Sequence, residues 1–211
     1  MKTKAIIIAS LAFIPTVLKS DVVLLDFDSV TPVADATAYL SSFGVSLLNV
    51  SHPGTVKIYS DEDFYGSGVV TASSPHNFLL QQVSGAPNNI SYTLGFSMPL
   101  TSFSFTRIAI NVPTAVAQWT ATAYAGGSPV ASVGENFFSG TEASQSYVLT
   151  GAGITSVTIS ASGYNFAGIA SAPLDDFGLT QVPEPSVAIL LVAGGLLVFR
   201  RRWLRTNERI A

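Results

Sequence analysis

Trp119-Thr120-Ala121-Thr122-Ala123-Tyr124-Ala125 is the stretch that decides the fold. Apolar residues at 119, 121, 123 and 125 alternate with Thr120, Thr122 and Tyr124. A period of two is the signature of a β-strand with one face on a core and one facing water. The same period recurs further on, where Val157 and Ile159 alternate with Ser156, Thr158 and Ser160. Upstream, Phe103 and Phe105 are followed by Ile108 and Ile110, which predicts a bulge at Arg107. Further β-type runs are read at 22–28, 45–50, 55–59, 78–83, 90–96, 103–112, 147–150, 154–161 and 177–182.

Turn signals separate these runs. Pro53-Gly54, Gly66-Ser67-Gly68, Ser74-Pro75, Gly85-Ala86-Pro87, Gly126-Gly127, Gly151-Ala152-Gly153 and Ser162-Gly163 each read as turns. Residues 33–42 suit one short helix. Roughly ten evenly spaced strands without βα alternation predict an all-β fold, a two-sheet antiparallel β-sandwich of jelly-roll type.

Charge narrows the partners. Among residues 21–182 there are eleven carboxylates and only two bases, Lys57 and Arg107, for a net charge near −9. Such a domain repels phosphate backbones and has no basic patch, which excludes nucleic acid. Neutral sugars and divalent cations remain compatible. The chain has no cysteine, so disulfides, thiolate metal sites and a Cys nucleophile are excluded.

The two ends read differently from the middle. Met1-Lys2-Thr3-Lys4 precedes an apolar run at 5–18 and then Lys19-Ser20, the anatomy of a signal peptide at 1–20 with a helical apolar segment. Export calls for signal peptidase and the general secretion machinery. At the other end, Val182-Pro183-Glu184-Pro185-Ser186 leads into an uncharged apolar run at 187–199 and then Arg200-Arg201-Arg202. As a helix that run spans about 20 Å against a hydrocarbon core of about 30 Å, a marginal membrane span suited to transient anchoring. The arginines set the cytoplasmic side. The expected domains are therefore 1–20, an ectodomain at 21–181, a tail at 182–205 with its short transmembrane helix at 187–199, and a cytoplasmic remainder at 206–211.

A proline-flanked glutamate, a short apolar helix and an arginine cluster, in that order, closely resemble the PEP-CTERM sorting signal. The resemblance covers residues 182–205, and the chain departs from it by running on through 206–211. It implies recognition of Pro183, Glu184 and Pro185 by an exosortase of a Gram-negative bacterium, with Arg200, Arg201 and Arg202 as the cytoplasmic stop. It further implies passage across the inner membrane and display at the cell surface or in an exopolysaccharide matrix. A weaker resemblance runs through the middle. Residues 23–29 (VLLDFDS), Phe43-Gly44-Val45, Ser73-Ser74-Pro75-His76-Asn77 and Leu174-Asp175-Asp176-Phe177 are similar to jelly-roll ectodomains of PEP-CTERM proteins, whose fold is that of carbohydrate-binding modules.

Site chemistry is sparse. If the first and last strands pair, Asp26 and Asp28 approach Asp175 and Asp176, four hard-oxygen side chains that either hold a structural calcium or stand as solvated strand-end carboxylates. His52 and His76 each sit beside a proline and do not make a zinc site. No G-x-S-x-G elbow occurs. Exposed aromatics are the usual sugar platform, and Tyr65, Trp119, Tyr124, Phe137, Phe138 and Tyr164 are the candidates. The resulting expectation is a non-enzymatic, exported protein whose β-sandwich binds polysaccharide at a site the sequence leaves unknown. The alternatives are a secreted hydrolase acting on matrix glycans and a purely structural surface-layer protein.

Overall fold

A computed structural model describes residues 21–182, apart from 33, 52–54, 61–69, 72–76, 84–88, 117, 137, 163–168 and 171. The expected signal peptide, sorting motif, membrane helix and arginine cluster lie outside the described residues, as do His52 and His76. The chain divides between Ser20–Val182 and the two end segments, Met1–Lys19 and Pro183–Ala211. Among the described residues no helix is long and apolar enough to cross a membrane.

The architecture is almost wholly antiparallel sheet. In chain order the elements are β1 (Val22–Leu25), α1 (Ala36–Ser42), β2 (Val45–Leu48), β3 (Val56–Ser60), β4 (Val70–Thr71), β5 (Asn77–Val83), β6 (Asn89–Arg107) and β7 (Ala109–Val116). Then come β8 (Gln118–Ala125), β9 (Ser128–Glu135), β10 (Phe138–Glu142), β11 (Gln145–Ser162), β12 (Ile169–Ala170) and β13 (Leu174–Gln181). Ten strands share one sheet, along the path β12-β5-β13-β6-β11-β8-β9, with β1 beside β13, β2 beside β6 and β3 beside β5. The strands β10, β7 and β4 form a second, small sheet.

Two long strands, β6 with 19 residues and β11 with 18, organise the large sheet. They pair along their whole length, from Gln145↔Arg107 to Ser162↔Asn89. Yet Tyr147, near one end of β11, packs its ring 5.3 Å from Trp119, which pairs with Ala161 near the other end. Fourteen residues of straight strand would separate those positions by about 46 Å. The β6–β11 ribbon is therefore folded over on itself. The corner falls where the register slips on both strands, between Thr150↔Ser102, Ile154↔Leu100 and Ser156↔Gly95. Gly153 takes a φ of +73° there, a conformation a side chain would resist. So Gly151-Ala152-Gly153, read as a turn, is instead a bulged corner inside one strand. Likewise the separate runs at 90–96 and 103–112 are joined through Pro99 into β6, and the chain breaks at Ile108 before β7.

Folding the ribbon creates two layers. One holds β2, the first half of β6, the second half of β11, β8 and β9. The other holds β1, β13, the second half of β6 and the first half of β11. Side chains from both layers meet in a single core that includes Leu25, Phe27, Phe103, Phe105, Trp119, Val157, Ile159 and Phe177. Phe103 meets Phe177 edge-on at 5.2 Å and Phe105 meets Trp119 at 5.9 Å. Burial of each large apolar side chain stabilises by about 1.5–3 kcal/mol, so this core is the main driving force. The antiparallel sandwich expected from the period-two pattern is the structure observed, and β1 pairs with β13 as expected of first and last strands.

Local chemistry sets the remaining boundaries. The short helix starts at Ala36 because the Asp35 carboxylate caps it, accepting from Thr37 N at 2.7 Å. Gly126 and Gly127, with φ of +56° and +85°, make the two-residue hairpin turn between Ala125 and Ser128. The strand that follows, β9, was not anticipated. Pro129 and Gly134 are poor strand residues, tolerated because β9 ends the sheet path.

Candidate functional site

The outer face of the first layer is lined with hydroxyls. Along β8, Trp119, Ala121 and Ala123 enter the core, so Gln118, Thr120, Thr122 and Tyr124 point outward. Along β11, Val157, Ile159 and Ala161 enter the core, so Ser156, Thr158, Ser160 and Ser162 point outward. On β6 the outward residues are Asn89, Ser91, Thr93 and Gly95, and on β9 they are Ser132 and Gly134. Register aligns them in rows across the strands. One row runs Ser132–Thr122–Thr158–Thr93 and the next Gly134–Thr120–Ser160–Ser91.

Neighbouring hydroxyls in these rows hold one another. Thr122 and Ser132 are 3.0 Å apart, Thr120 and Ser160 2.8 Å, and Thr93 and Thr158 2.9 Å. A hydroxyl can donate once and accept twice, so each pair keeps hydrogen-bonding capacity beyond its mutual bond, open to solvent at Thr122–Ser132 and half-buried at Thr120–Ser160 and at Thr93–Thr158, where Thr93 itself is buried. The profile is low. A Cβ on Gly134 would come within 2.3 Å of the Trp119 carbonyl oxygen, and one on Gly95 within 2.8 Å of Leu48 Cδ1 and Ser46 Oγ. None of these outward positions carries a charge, in a domain whose net charge is near −9.

At the β8–β9 end the face opens into a shallow depression of about 260 Å³, lined by Gln118, Trp119, Thr120, Ser132, Glu135 and Asn136 among others. Gln118 Nε2 donates to Asn136 Oδ1 at 3.3 Å on its rim. Beneath it Glu135 gathers three side chains. Arg107 Nη2 donates to its Oε1 at 2.7 Å and Nε to its Oε2 at 2.9 Å. Trp119 Nε1 donates to Oε2 at 2.8 Å, and the Tyr147 hydroxyl donates to Oε1 at 2.6 Å. Arg107 Nη1 also donates to the carbonyls of Ile108 and Ala143. Burial alone would push the Glu135 carboxyl up. The bonds from Arg107, Tyr147 and Trp119 and the guanidinium charge outweigh it and hold the group below the usual glutamate range. Burial and the bond to Glu135 push the Tyr147 phenol up to about 12. A carboxylate held ionised by this many donors is poorly placed to shuttle protons. The cluster ties β9 in one layer to β6 and β11 in the other.

The predicted acidic group is placed as follows. The β1–β13 register ends at Leu25↔Phe177, which sets Asp26 and Asp176 one residue beyond the last pair. Asp175 is fully buried and accepts from the Asp176 N–H at 2.8 Å, with Asp176 at a φ of +51°. The Tyr39 hydroxyl donates to the Asp26 carbonyl. Its phenol is pushed up by burial and by the charges of Asp26, Asp28 and Asp175. Among the described residues no three His, Cys, Asp or Glu side chains are grouped so as to hold a metal ion. Of the aromatic candidates, Trp119 belongs to the core and Tyr124 stands on the hydroxyl face. Tyr65, Phe137 and Tyr164 fall outside the described residues.

Neither the hydroxyl face nor the Glu135 cluster was singled out from sequence. For the cluster, one signal was present: a lone arginine in a strand flanked by Phe105 and Ile108 must find a carboxylate.

No protein-family model matches the chain, and no curated protein matches it. Similar solved structures include the K2 cleaved adhesin domain of Lys-gingipain, with 13% identity over 76% of this chain and 100% of that one, TM-score 0.49. TmCBM61, solved with β-1,4-galactotriose, is similar at 12% identity over 72% of this chain and 99% of that one, TM-score 0.41. A cyclase from Fischerella sp. TAU is similar at 10% identity over 77% of this chain and 98% of that one, TM-score 0.47.

Proposed function

We propose that this chain is a non-enzymatic, exported protein of the cell surface or exopolysaccharide matrix, which binds neutral polysaccharide through the outer face of β6, β11, β8 and β9. The observation that carries the reading is the uncharged hydroxyl face itself. Sugars are recognised by hydroxyl and amide groups that both donate and accept, and Ser, Thr, Gln and Asn are the groups presented here. Tyr124 adds one ring on which a pyranose face can stack. The acidic remainder of the domain disfavours anionic polymers by repulsion.

Destination rests on the ends of the chain. The signal-peptide pattern at 1–20, together with Pro183-Glu184-Pro185, the apolar run at 187–199 and Arg200-Arg201-Arg202, supports export followed by exosortase processing. In this reading the tail anchors the chain transiently and the sandwich is then released or attached outside.

Two readouts test the proposal. The full chain is electrophoresed through gels containing neutral or acidic polysaccharides, and retardation by neutral polymers alone is expected. Intact mass of the surface and medium fractions, with and without deletion of residues 183–185, reads the sorting. Loss of the mass beyond about residue 185 in the parent but not in the deletion is expected. A membrane-bound chain retaining 187–211 in both would reduce the tail to a plain anchor.

A further inference from the structure

Resting on the reading of a neutral-polysaccharide face, we infer that its ligand is the packed surface of an ordered polysaccharide, several chains side by side, and not a single dissolved chain. Three features of the face point there.

First, it is shallow, with one open depression at the β8–β9 end. Sites for isolated small ligands are concave and bury most of the ligand. Here Gly134 lies in a row of Ser and Thr and Gly95 in the row of Ser46, Ser156 and Tyr124, and at both positions a side chain would collide with its neighbours. A lone oligosaccharide laid on such a face would be covered on one side only. Enough contact accrues only if the ligand is itself extended in two dimensions.

Second, the array is two-dimensional. Adjacent strands lie about 4.8 Å apart, and outward residues along one strand recur every 6.7 Å or so. The rows from β9 to β6 thus cover roughly 14 Å across the strands, and Gln118 to Tyr124 roughly 20 Å along them. A single extended chain following one strand would meet one column of hydroxyls and leave the rest in water.

Third, the hydroxyls are fixed in place. Three pairs, Thr122–Ser132, Thr120–Ser160 and Thr93–Thr158, are locked by mutual hydrogen bonds. Four of the six residues are threonines, whose β-branch already restricts χ1. Such an array cannot adapt to a flexible chain. It loses little entropy on meeting a surface that is equally regular. The absence of charge at these positions matches a neutral polymer and would repel no close-packed chain.

The test compares the same polymers in different order. Binding isotherms of the full chain are measured on crystalline cellulose and crystalline chitin, on acid-swollen preparations of each, and with their soluble hexasaccharides. The inference predicts binding to a crystalline form about tenfold or more tighter per unit area than to its swollen form, with no measurable binding of the hexasaccharide. Thr122→Lys and Ser160→Lys, both outward, are expected to weaken that binding about tenfold or more while the melting temperature falls by no more than a few degrees. Leu24→Lys, on the exposed outer side of the other layer, is expected to bind as the parent does. Equal binding to swollen and crystalline forms, or tight binding of the hexasaccharide, overturns the inference and leaves the polysaccharide reading standing. Retention on no neutral polysaccharide overturns both. Thermal hysteresis in freezing water without such retention would assign the face to ordered water instead and also overturns both.

Discussion

Two polar networks lie within one sandwich, one on each side of the β8–β9 hairpin, and they are built on opposite terms. The inner network joins Arg107, Glu135, Trp119 and Tyr147 through charge-assisted bonds with little access to water. The outer network joins Ser and Thr hydroxyls in neutral pairs on the outer face, exposed at Thr122–Ser132 and half-buried at the other two. Inside, Arg107 Nε and Nη2, Trp119 Nε1 and the Tyr147 hydroxyl all converge on one carboxylate, so the group is consumed in holding the two layers together. Outside, each hydroxyl retains capacity for a further partner. The difference teaches where recognition can reside. A polar cluster with all its capacity satisfied is cohesive, and one with capacity to spare is available to a ligand.

The comparison can be broken by substitution. Glu135→Ala leaves the Arg107 guanidinium buried without its carboxylate, and a loss of about 3–5 kcal/mol is expected by chemical denaturation. Tyr147→Phe removes one hydrogen bond to a charged acceptor and should cost about 1.5–3 kcal/mol. On the outer face the expected effect is smaller. Thr93→Val should cost about 1 kcal/mol or less, and the double variant Thr93→Val/Thr158→Val should lie nearer the parent, because no hydroxyl then lacks its partner. A cost for Thr93→Val as large as that for Glu135→Ala would erase the distinction between the networks.

The pH dependence sharpens it. The Glu135 carboxyl is held below its ordinary range in the folded chain, so its contribution is present above the unfolded pKa and is lost as the pH falls through the folded one. The Tyr147 phenol is raised from 10.0 to about 12, so its contribution is present below 10.0 and is lost as the pH rises toward 12. Denaturation midpoints measured across pH should fall at both extremes in the parent. The alkaline fall should be shallower in Tyr147→Phe, and the remainder is expected from Tyr39, whose phenol is raised as well. The outer hydroxyl pairs do not titrate and add nothing to either limb.

Period-two alternation made much of the fold legible. It located Trp119 to Ala125 and Val157 to Ile159 correctly and assigned their inward faces. What it could not reveal is continuity. Pro99 and Gly151-Ala152-Gly153 are local punctuation, yet in the folded chain they form a corner across which both strands keep pairing. Tertiary packing of Tyr147 on Trp119 overrides the local turn preference. The β9 strand was hidden for a related reason: Pro129 and Gly134 weaken its signal, and only a position at the end of the sheet path tolerates them. The Glu135 cluster joins residues 28 apart in sequence, a separation no local pattern reports. The outward Thr and Ser positions were visible as the polar half of the alternation. Their alignment into rows required the register.

The most direct measurement is hydroxyl-radical footprinting of the full chain, with and without a neutral polysaccharide that retains it. The account predicts protection of Tyr124 and of Leu48, which borders the face above Gly95, with no change at Val22, Leu24 and Val148, which are exposed on the other layer. Protection of Leu24 and Val148 with Tyr124 unchanged would contradict it and move the binding surface to the opposite side of the sandwich.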